Sequence, residues 1–347
     1  QNRNQNFTAF TNAKIYVTPT QIINKGTLLI QNGKVISAGT TIPIPKNTIV
    51  VNLEGKTIYP SFIDLYTSFG IEKPKSTSPM SRGQLYDTKR AGYYWNENIR
   101  SEVNAFENYK YDTSKAEEFL KSGFGVVGTH VQDGIARGTG TLIALNNFDN
   151  SKRLLTDKIT NHFGFTRSAL TSQSYPSSLM GMMALIRQMY LDMDWYKKGN
   201  SETKDISLEA LIENQNLVQL FASEDKLNSL RASKIAKEFG INYILKGSGN
   251  EFERIDEIKK TNAKFIIPIN FPEAYDVSDP IQANQMELKD FRFWNQAPTN
   301  PKVLADNGIV FALKADGDKV VVVTLIVLVP AFVLLVAISQ HSQLDRP

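Results

Sequence analysis

The sequence contains no cysteine, only three histidines and no dense run of basic residues. The absence of cysteine excludes disulfides, thiolate nucleophiles and zinc sites built on thiolates. The 39 lysines and arginines are balanced by 35 acidic residues, so the net charge of +4 offers no continuous surface for nucleic-acid phosphates. We therefore expect no nucleic-acid partner.

The three histidines are His130, His162 and His341, and none lies at metal-chelating spacing from another. An isolated histidine is more often a structural residue than a ligand. His130 has a catalytic alternative, because it follows the apolar stretch GFGVVGT. We expect it near the carboxyl end of a strand, where a general base of a barrel enzyme would lie.

The first part of the chain is a series of short strands. The stretches FTNAKIYV, GTLLIQNGKVISAG and TIVVNLEGKTIYP cluster or alternate β-branched residues, and Asn32-Gly33 is a strong hairpin signal. We expect a small antiparallel sheet there. The polar, amide-rich start QNRNQNFTAF resembles a mature N-terminus after removal of a leader, which favours an exported protein.

Beyond Ser114 helices and strands alternate. SKAEEFLKSG and LNSLRASKIAKEFG have apolar residues at helical spacing and end at glycines, and short apolar runs follow each glycine. Such alternation predicts parallel strands covered by helices. Polar Ser/Thr/Pro-rich stretches predict long loops at 71–113 and 150–205.

Several separated blocks resemble the amidohydrolase superfamily, specifically its imidazolonepropionase-like branch. They include GKTIYPSFIDLYTSFG, GFGVVGTHVQDGIARGTGTLIAL and VLADNGIVFALKADG, and the resemblance spans residues 7 to 318. It implies an α/β fold: a (β/α)8 TIM-type barrel, complete or incomplete, at 60–318, with an N-terminal β-sandwich portion at 1–59. Long tandem members of this branch in exported bacterial proteins pair a degenerate first module with a catalytic second one, and this chain is similar to the degenerate halves.

The resemblance also implies where metal ligands would lie. Family members hold divalent metals, zinc among them, with histidines at the strand ends, and the corresponding positions here are Tyr66, Ser68, Phe221 and Gly247. A protonated phenol and a serine hydroxyl do not replace imidazoles. Asp316 matches the family's water-activating aspartate, but one carboxylate does not hold a metal by itself. We expect neither a zinc site nor another cofactor, with Asp316 and His130 as vestigial catalytic candidates.

The glycine-rich stretch GIARGTGTL and the nearby Asp133 do not indicate a catalytic motif. The stretch GIARGTGTL lacks the lysine of a phosphate-binding loop, so we interpret it as a glycine-rich loop that permits close backbone approach. Asp133 offers a carboxylate beside it, and an acidic loop residue is by default a solvated one.

The C-terminal segment 319–347 does not fit the family pattern. Residues 320–339 are uncharged and almost wholly apolar, a length that spans a bilayer as a helix. A pair of buried strands broken at Pro330 is the competing interpretation, favoured by ten valines and isoleucines in the segment. A non-native tail is the third.

These observations predict a metal-free, amidohydrolase-like protein that is inactive alone. Its role would be a scaffold or substrate-facing module for a catalytic amidohydrolase module or for a second copy of itself. It would be periplasmic or otherwise exported, with membrane attachment through 320–339 as an option. Two alternatives stay open: a hydrolase of C–N bonds with a site rebuilt around His130 and Asp316, and a membrane-tethered protein whose barrel mouth binds a ligand.

Overall fold

The computed structural model describes residues 7–75, 90–146, 153–276 and 278–314. The described residues form two sheets, a smaller N-terminal one and a larger one that carries the helices. The strands of the smaller sheet are β1 (Phe7–Tyr16), β2 (Ile22–Gln31), β3 (Lys34–Gly39), β4 (Ile49–Asn52) and β5 (Thr57–Ile58).

The N-terminal sheet has the order β3-β2-β1-β4, and β5 also pairs with β1. Asn32 and Gly33 connect β2 to β3 with φ of 51° and 77°, the left-handed conformations that a tight hairpin turn needs, so the predicted hairpin is confirmed. The sheet is not wholly antiparallel, because β1 pairs with β4 and β5 in parallel. The described residues of this region form one sheet, and the sandwich stays a prediction.

The larger sheet has eight strands in chain order. They are β6 (Phe62–Thr67), β7 (Phe124–Thr129), β8 (Ala136–Ala144), β9 (Leu154–Gly164), β10 (Val218–Ala222), β11 (Tyr243–Lys246), β12 (Lys264–Pro268) and β13 (Phe311–Lys314). All neighbouring strands are parallel except β8, which is antiparallel to both β7 and β9. The prediction of parallel strands is therefore confirmed for most of the sheet and wrong at β8.

The larger sheet curls but does not close into a barrel within the described residues. Tyr66 on the first strand packs against Leu220 of β10 and Ile266 of β12, so distant strands meet on one inner face. No backbone ladder joins β13 to β6 in the described part of the chain. The structure is thus a mixed α/β fold with a curled, open sheet.

Eight α-helices accompany the strands in the described residues. They are α1 (Thr113–Lys121), α2 (Leu179–Lys197), α3 (Ile206–Glu213), α4 (Lys226–Phe239), α5 (Ile255–Lys259), α6 (Pro280–Gln285), α7 (Leu288–Gln296) and α8 (Asn300–Asp306). The predicted helices correspond to α1 and α4, and Gly240 caps α4 in the left-handed conformation as expected. The main core lies between the outer face of the sheet and α2 to α4, where aliphatic and aromatic side chains are buried.

The predicted loop at 150–205 is wrong, because this range contains β9 and α2. Polar residues misled the prediction: Ser178 accepts a hydrogen bond from the amide of Gly181 and so begins α2 rather than extending a loop. The described parts of 71–113 contain a single 3₁₀ turn at Phe106–Asn108 and isolated bridges. No helix in the part of the chain that the structure describes is long and apolar enough to cross a membrane, and residues 320–339 lie outside it.

Candidate functional site

The inner face of the curled sheet carries a buried cluster of polar side chains. Tyr66 comes from β6, His130 directly follows β7, and His162 lies on β9. The His130 and His162 rings stack with centroids 3.5 Å apart and an interplanar angle of 7°. The edge of Tyr66 meets His130 at a centroid distance of 4.3 Å. Two histidines that are far apart in the sequence therefore form one unit.

Two cationic side chains complete this inner cluster. Arg137 of β8 is 4% exposed, and its Nη1 donates to the Tyr66 hydroxyl oxygen at 3.0 Å. Lys314, at the end of β13, is 5% exposed and holds its Nζ 5.2 Å from the centroid of the Tyr66 ring. The cluster therefore combines three aromatic rings with two buried positive charges.

The strand β8 positions Arg137 through a bulge. Ala136 pairs with Phe163, and Gly138 pairs with His162, so Arg137 is the extra residue of β8 at this point. A bulge redirects the side chain of the extra residue and bends its strand. Arg137 is therefore held beside Tyr66, and its Nε also donates to the Gly134 carbonyl at 2.9 Å.

Glycines make room for the cluster. A Cβ on Gly140 would lie 2.6 Å from His162 Nε2, and a Cβ on Gly164 would collide with the Arg137 guanidinium. The expected close approach in GIARGTGTL is confirmed, but the segment is mostly the buried strand β8 rather than a loop. Its alternating Thr139, Thr141 and Ile143 were the strand signal that the glycines concealed.

Burial controls the charge of the histidine pair. Desolvation lowers the pKa of His130 well below its usual value, with further lowering by His162, Arg137 and Lys314. Desolvation and then Arg137 lower the pKa of His162 in the same direction. Both imidazoles are therefore neutral at physiological pH.

The hydrogen bonds of this pair are incomplete within the described residues. Neither ring nitrogen of His130 has a partner of good hydrogen-bond geometry there, although the Thr67 backbone is near enough to raise the pKa of the ring; Nδ1 of His162 also lacks a partner. Nε2 of His162 is bonded to the Thr160 hydroxyl at 2.7 Å. Buried polar atoms usually have partners, so these three nitrogens mark an unusual position.

The other predicted site residues lie elsewhere. Phe221 is on the opposite face of β10, where it packs against Phe165 and Tyr243, and Leu220 occupies the inner position beside His162. Ser68 is half-buried, and its carbonyl accepts the amide of Ile71. Asp316 and His341 lie outside the described residues.

Gly247 has no space for a larger side chain. A Cβ at this position would collide with the Glu251 carboxylate. That buried carboxylate accepts hydrogen bonds from the amides of Ser248 and Gly249 and from Asn300 Nδ2. Glu251 therefore fixes the loop after β11.

The expectation that Asp133 is solvated is wrong, because it is 6% exposed. Its carboxylate accepts from the Ser168 hydroxyl and from the Ala169 amide, and Arg100 lies 3.8 Å away. Asp133 thus connects the loop after β7 to the loop after β9. Sequence reasoning missed this role because its partners are on a distant loop.

The inner cluster does not fit zinc. A zinc ion lies in the plane of each coordinating imidazole, about 2.0 to 2.1 Å from its nitrogen, and two parallel rings stacked face to face cannot aim lone pairs at one ion. Arg137 and Lys314 would also repel a cation. No group of three His, Cys, Asp or Glu side chains in the described residues is arranged to hold a metal.

Comparisons with known proteins show the fold. An amidohydrolase from Thermotoga maritima MSB8 superposes with a TM-score of 0.63 at 18% identity, over 90% of this chain and 79% of that one. A prolidase complexed with N-methylphosphonate-L-proline gives 0.45 at 11% identity, over 90% and 79%. A β-aspartyl dipeptidase from Fervidobacterium islandicum AW-1 gives 0.42 at 13%, over 90% and 76%.

No family model and no curated protein matches the sequence. The chain has an amidohydrolase-like fold, on the likeness to the Thermotoga maritima protein. At 18% identity the likeness to the Thermotoga maritima protein extends to the fold alone.

Proposed function

We propose that this chain is a metal-free, non-catalytic module with an amidohydrolase-like fold, which serves as a scaffold or substrate-facing half for a catalytic amidohydrolase module. The observation that carries the proposal is the inner cluster. Tyr66 and the stacked histidines fill the inner face near the strand ends, and Arg137 adds a buried positive charge there. Such a face favours packing and anions over a metal-bound water.

The metal test has a definite expected result. We expect protein purified from zinc-supplemented cells and then dialysed to retain far less than one zinc per chain, because its imidazoles are stacked and lie beside cations. Elemental analysis measures this, with a zinc-dependent amidohydrolase processed in parallel as the control. About one zinc per chain, retained through dialysis, would contradict the proposal.

Restoring the first two ligand positions should not restore hydrolysis. In Tyr66→His with Ser68→His, the inner face still presents Leu220 of β10 and the Arg137 charge. An incomplete ligand shell does not fix a metal or its water. Dipeptide and cyclic-imide turnover is the measurement, and metal-dependent activity in the double variant would show that the remaining site is functional.

The hydrolase alternative has less support. His130 is 0% exposed, whereas a general base must come within hydrogen-bond distance of its substrate or of one intervening water. Its suggested partner, Asp316, lies outside the described residues. If the untreated protein did hydrolyse an amide, loss of that activity in His130→Phe would favour this alternative.

The scaffold role itself requires a partner test. Mixing the purified chain with a catalytic amidohydrolase encoded beside it should change the partner's kcat/KM and give a complex in analytical ultracentrifugation. A separate amidohydrolase of the same fold is the matched control. Unchanged kinetics and no complex with the neighbouring enzyme would reject this role.

We further propose that the protein is exported and that residues 320–339 attach it to a membrane. The support is the length of the uncharged apolar run, which matches a bilayer's hydrocarbon thickness. We expect the full chain in the membrane fraction, released by detergent but not by alkaline carbonate. A chain shortened to end at Asp318 should appear in the soluble fraction. Recovery of the full chain without detergent as a monomer would argue against attachment.

A further inference from the structure

Arg137 is a buried cation without a described counter-ion. Its guanidinium donates to the Gly134 carbonyl and to the Tyr66 hydroxyl, both neutral groups. In the described part of the chain Arg137 forms no ion pair within 4.0 Å, and the nearby buried carboxylate Asp133 pairs with Arg100 instead. Asp64, the buried carboxylate on β6, directs Oδ1 to the amide of Tyr66. Burying a charge without an opposite charge is costly, so Arg137 requires an explanation.

The charged groups that act on the histidine pair are positive, and the buried Asp64 carboxylate lies two residues before Tyr66 on β6. Lys314 is the other cation that acts on His130, and the two histidines are neutral because burial lowers their pKa values. Each neutral imidazole still carries one N–H donor. The region around Tyr66 therefore combines positive charge with donors, which is the chemistry that recognises an anion.

The histidine pair gives a second, independent observation. His130 is wholly buried, and neither of its ring nitrogens has a partner of good hydrogen-bond geometry among the described residues, although the Thr67 backbone is near enough to act on the pKa of the ring; Nδ1 of His162 also lacks a partner there. One N–H of the pair is free to donate while Arg137 supplies charge. An anion at this point would provide both the missing acceptor and the missing counter-charge.

We propose that the inner cluster of Tyr66, His130, His162, Arg137 and Lys314 binds one small monovalent anion of chloride size. The surrounding side chains are closely packed, so the ligand is a compact ion rather than a peptide or a sugar. This inference goes beyond the proposed scaffold role and does not require a catalytic partner.

The test uses thermal unfolding of the full chain in the detergent that keeps it monodisperse. Protein dialysed into sodium gluconate is titrated with sodium chloride while ionic strength stays constant. We expect Tm to rise with the logarithm of the chloride concentration above its Kd, by about 2 °C when chloride reaches tenfold the Kd. Sodium formate in a parallel titration shows whether a small carboxylate binds as well. An equal Tm in chloride and gluconate would overturn the proposal.

Two variants assign the effect to the cluster. Arg137→Met should abolish the chloride-dependent rise, whereas Arg187→Met, which removes a surface arginine paired with Glu238, should retain it. If Arg137→Met does not fold, Tyr66→Phe removes the hydroxyl that orients the guanidinium and should weaken chloride binding severalfold. An unchanged chloride response in Tyr66→Phe and in any folded Arg137→Met would reject this position. Zinc content measured on the same samples tests the proposed function separately.

Discussion

The Gly138→Ala variant is expected to lower the free energy of unfolding by about 3 kcal/mol or more. Two effects act together. Gly138 has φ of 78°, a left-handed conformation that an alanine adopts only with strain. Its Cβ would also lie within 2.8 Å of the Val103 carbonyl carbon and closer still to the oxygen, so backbone must move. Urea denaturation followed by circular dichroism measures the loss.

Gly240→Ala separates these two effects. Gly240 has φ of 66°, similar to that of Gly138, but no atom of the described residues lies within 4 Å of the position that an alanine methyl group would take. We expect this variant to lose only about 1 kcal/mol, the cost of the left-handed conformation alone. Equal losses for the two variants would show that the approach of Val103 does not matter.

The expected strain at Gly138 also affects the inner cluster, because Gly138 is the last residue of the bulge that positions Arg137. Gly138 pairs with His162 of β9, and on its other side its backbone lies close to that of Val103. Moving either contact would shift Arg137 relative to Tyr66. A folded Gly138→Ala protein should therefore also lose the chloride response described above.

Local signals in the sequence predicted much of the fold. Asn32-Gly33 specified the first hairpin, and the apolar spacing that ends at Gly240 specified α4. These elements are determined by neighbouring residues, so a local pattern is sufficient. β8 was missed because Gly138 and Gly140 resemble loop residues, although their lack of side chains is what lets the strand lie against Val103 and His162.

The inner cluster was harder to predict for a physical reason. His130 and His162 come from the two strands on either side of β8, and that strand was not predicted. Sequence spacing carries no information about distances across a sheet. The position of the Arg137 guanidinium was also not predictable. A bulge in β8, rather than the regular alternation of strand residues, directs this side chain to Tyr66.

Acidification between pH 6.5 and 5.5 is expected to destabilise the protein through the histidine pair. Burial lowers the folded-state pKa values of His130 and His162 below their unfolded value of about 6.5. As the pH falls through 6.5, the unfolded chain takes up protons that the folded chain does not bind. Stability is therefore complete above the unfolded pKa and is lost as the pH falls toward the folded ones.

The expected slope approaches about 1.4 kcal/mol per pH unit for each histidine below its unfolded pKa. Most carboxylates titrate at lower pH, so the window from 6.5 to 5.5 isolates the histidines. Urea denaturation at several pH values in this window, at constant ionic strength and chloride concentration, gives the slope directly.

His130→Phe tests the source of that slope. Phenylalanine keeps an aromatic ring against His162 and Tyr66. The substitution removes no side-chain hydrogen bond of good geometry to the described residues. We expect the variant to show about half of the wild-type slope, because one of two titrating groups is removed. His341→Gln provides the contribution of the third histidine. A wild-type stability that is flat from pH 6.5 to 5.5, or a slope that His130→Phe leaves unchanged, would show that the buried pair does not control the response to acid.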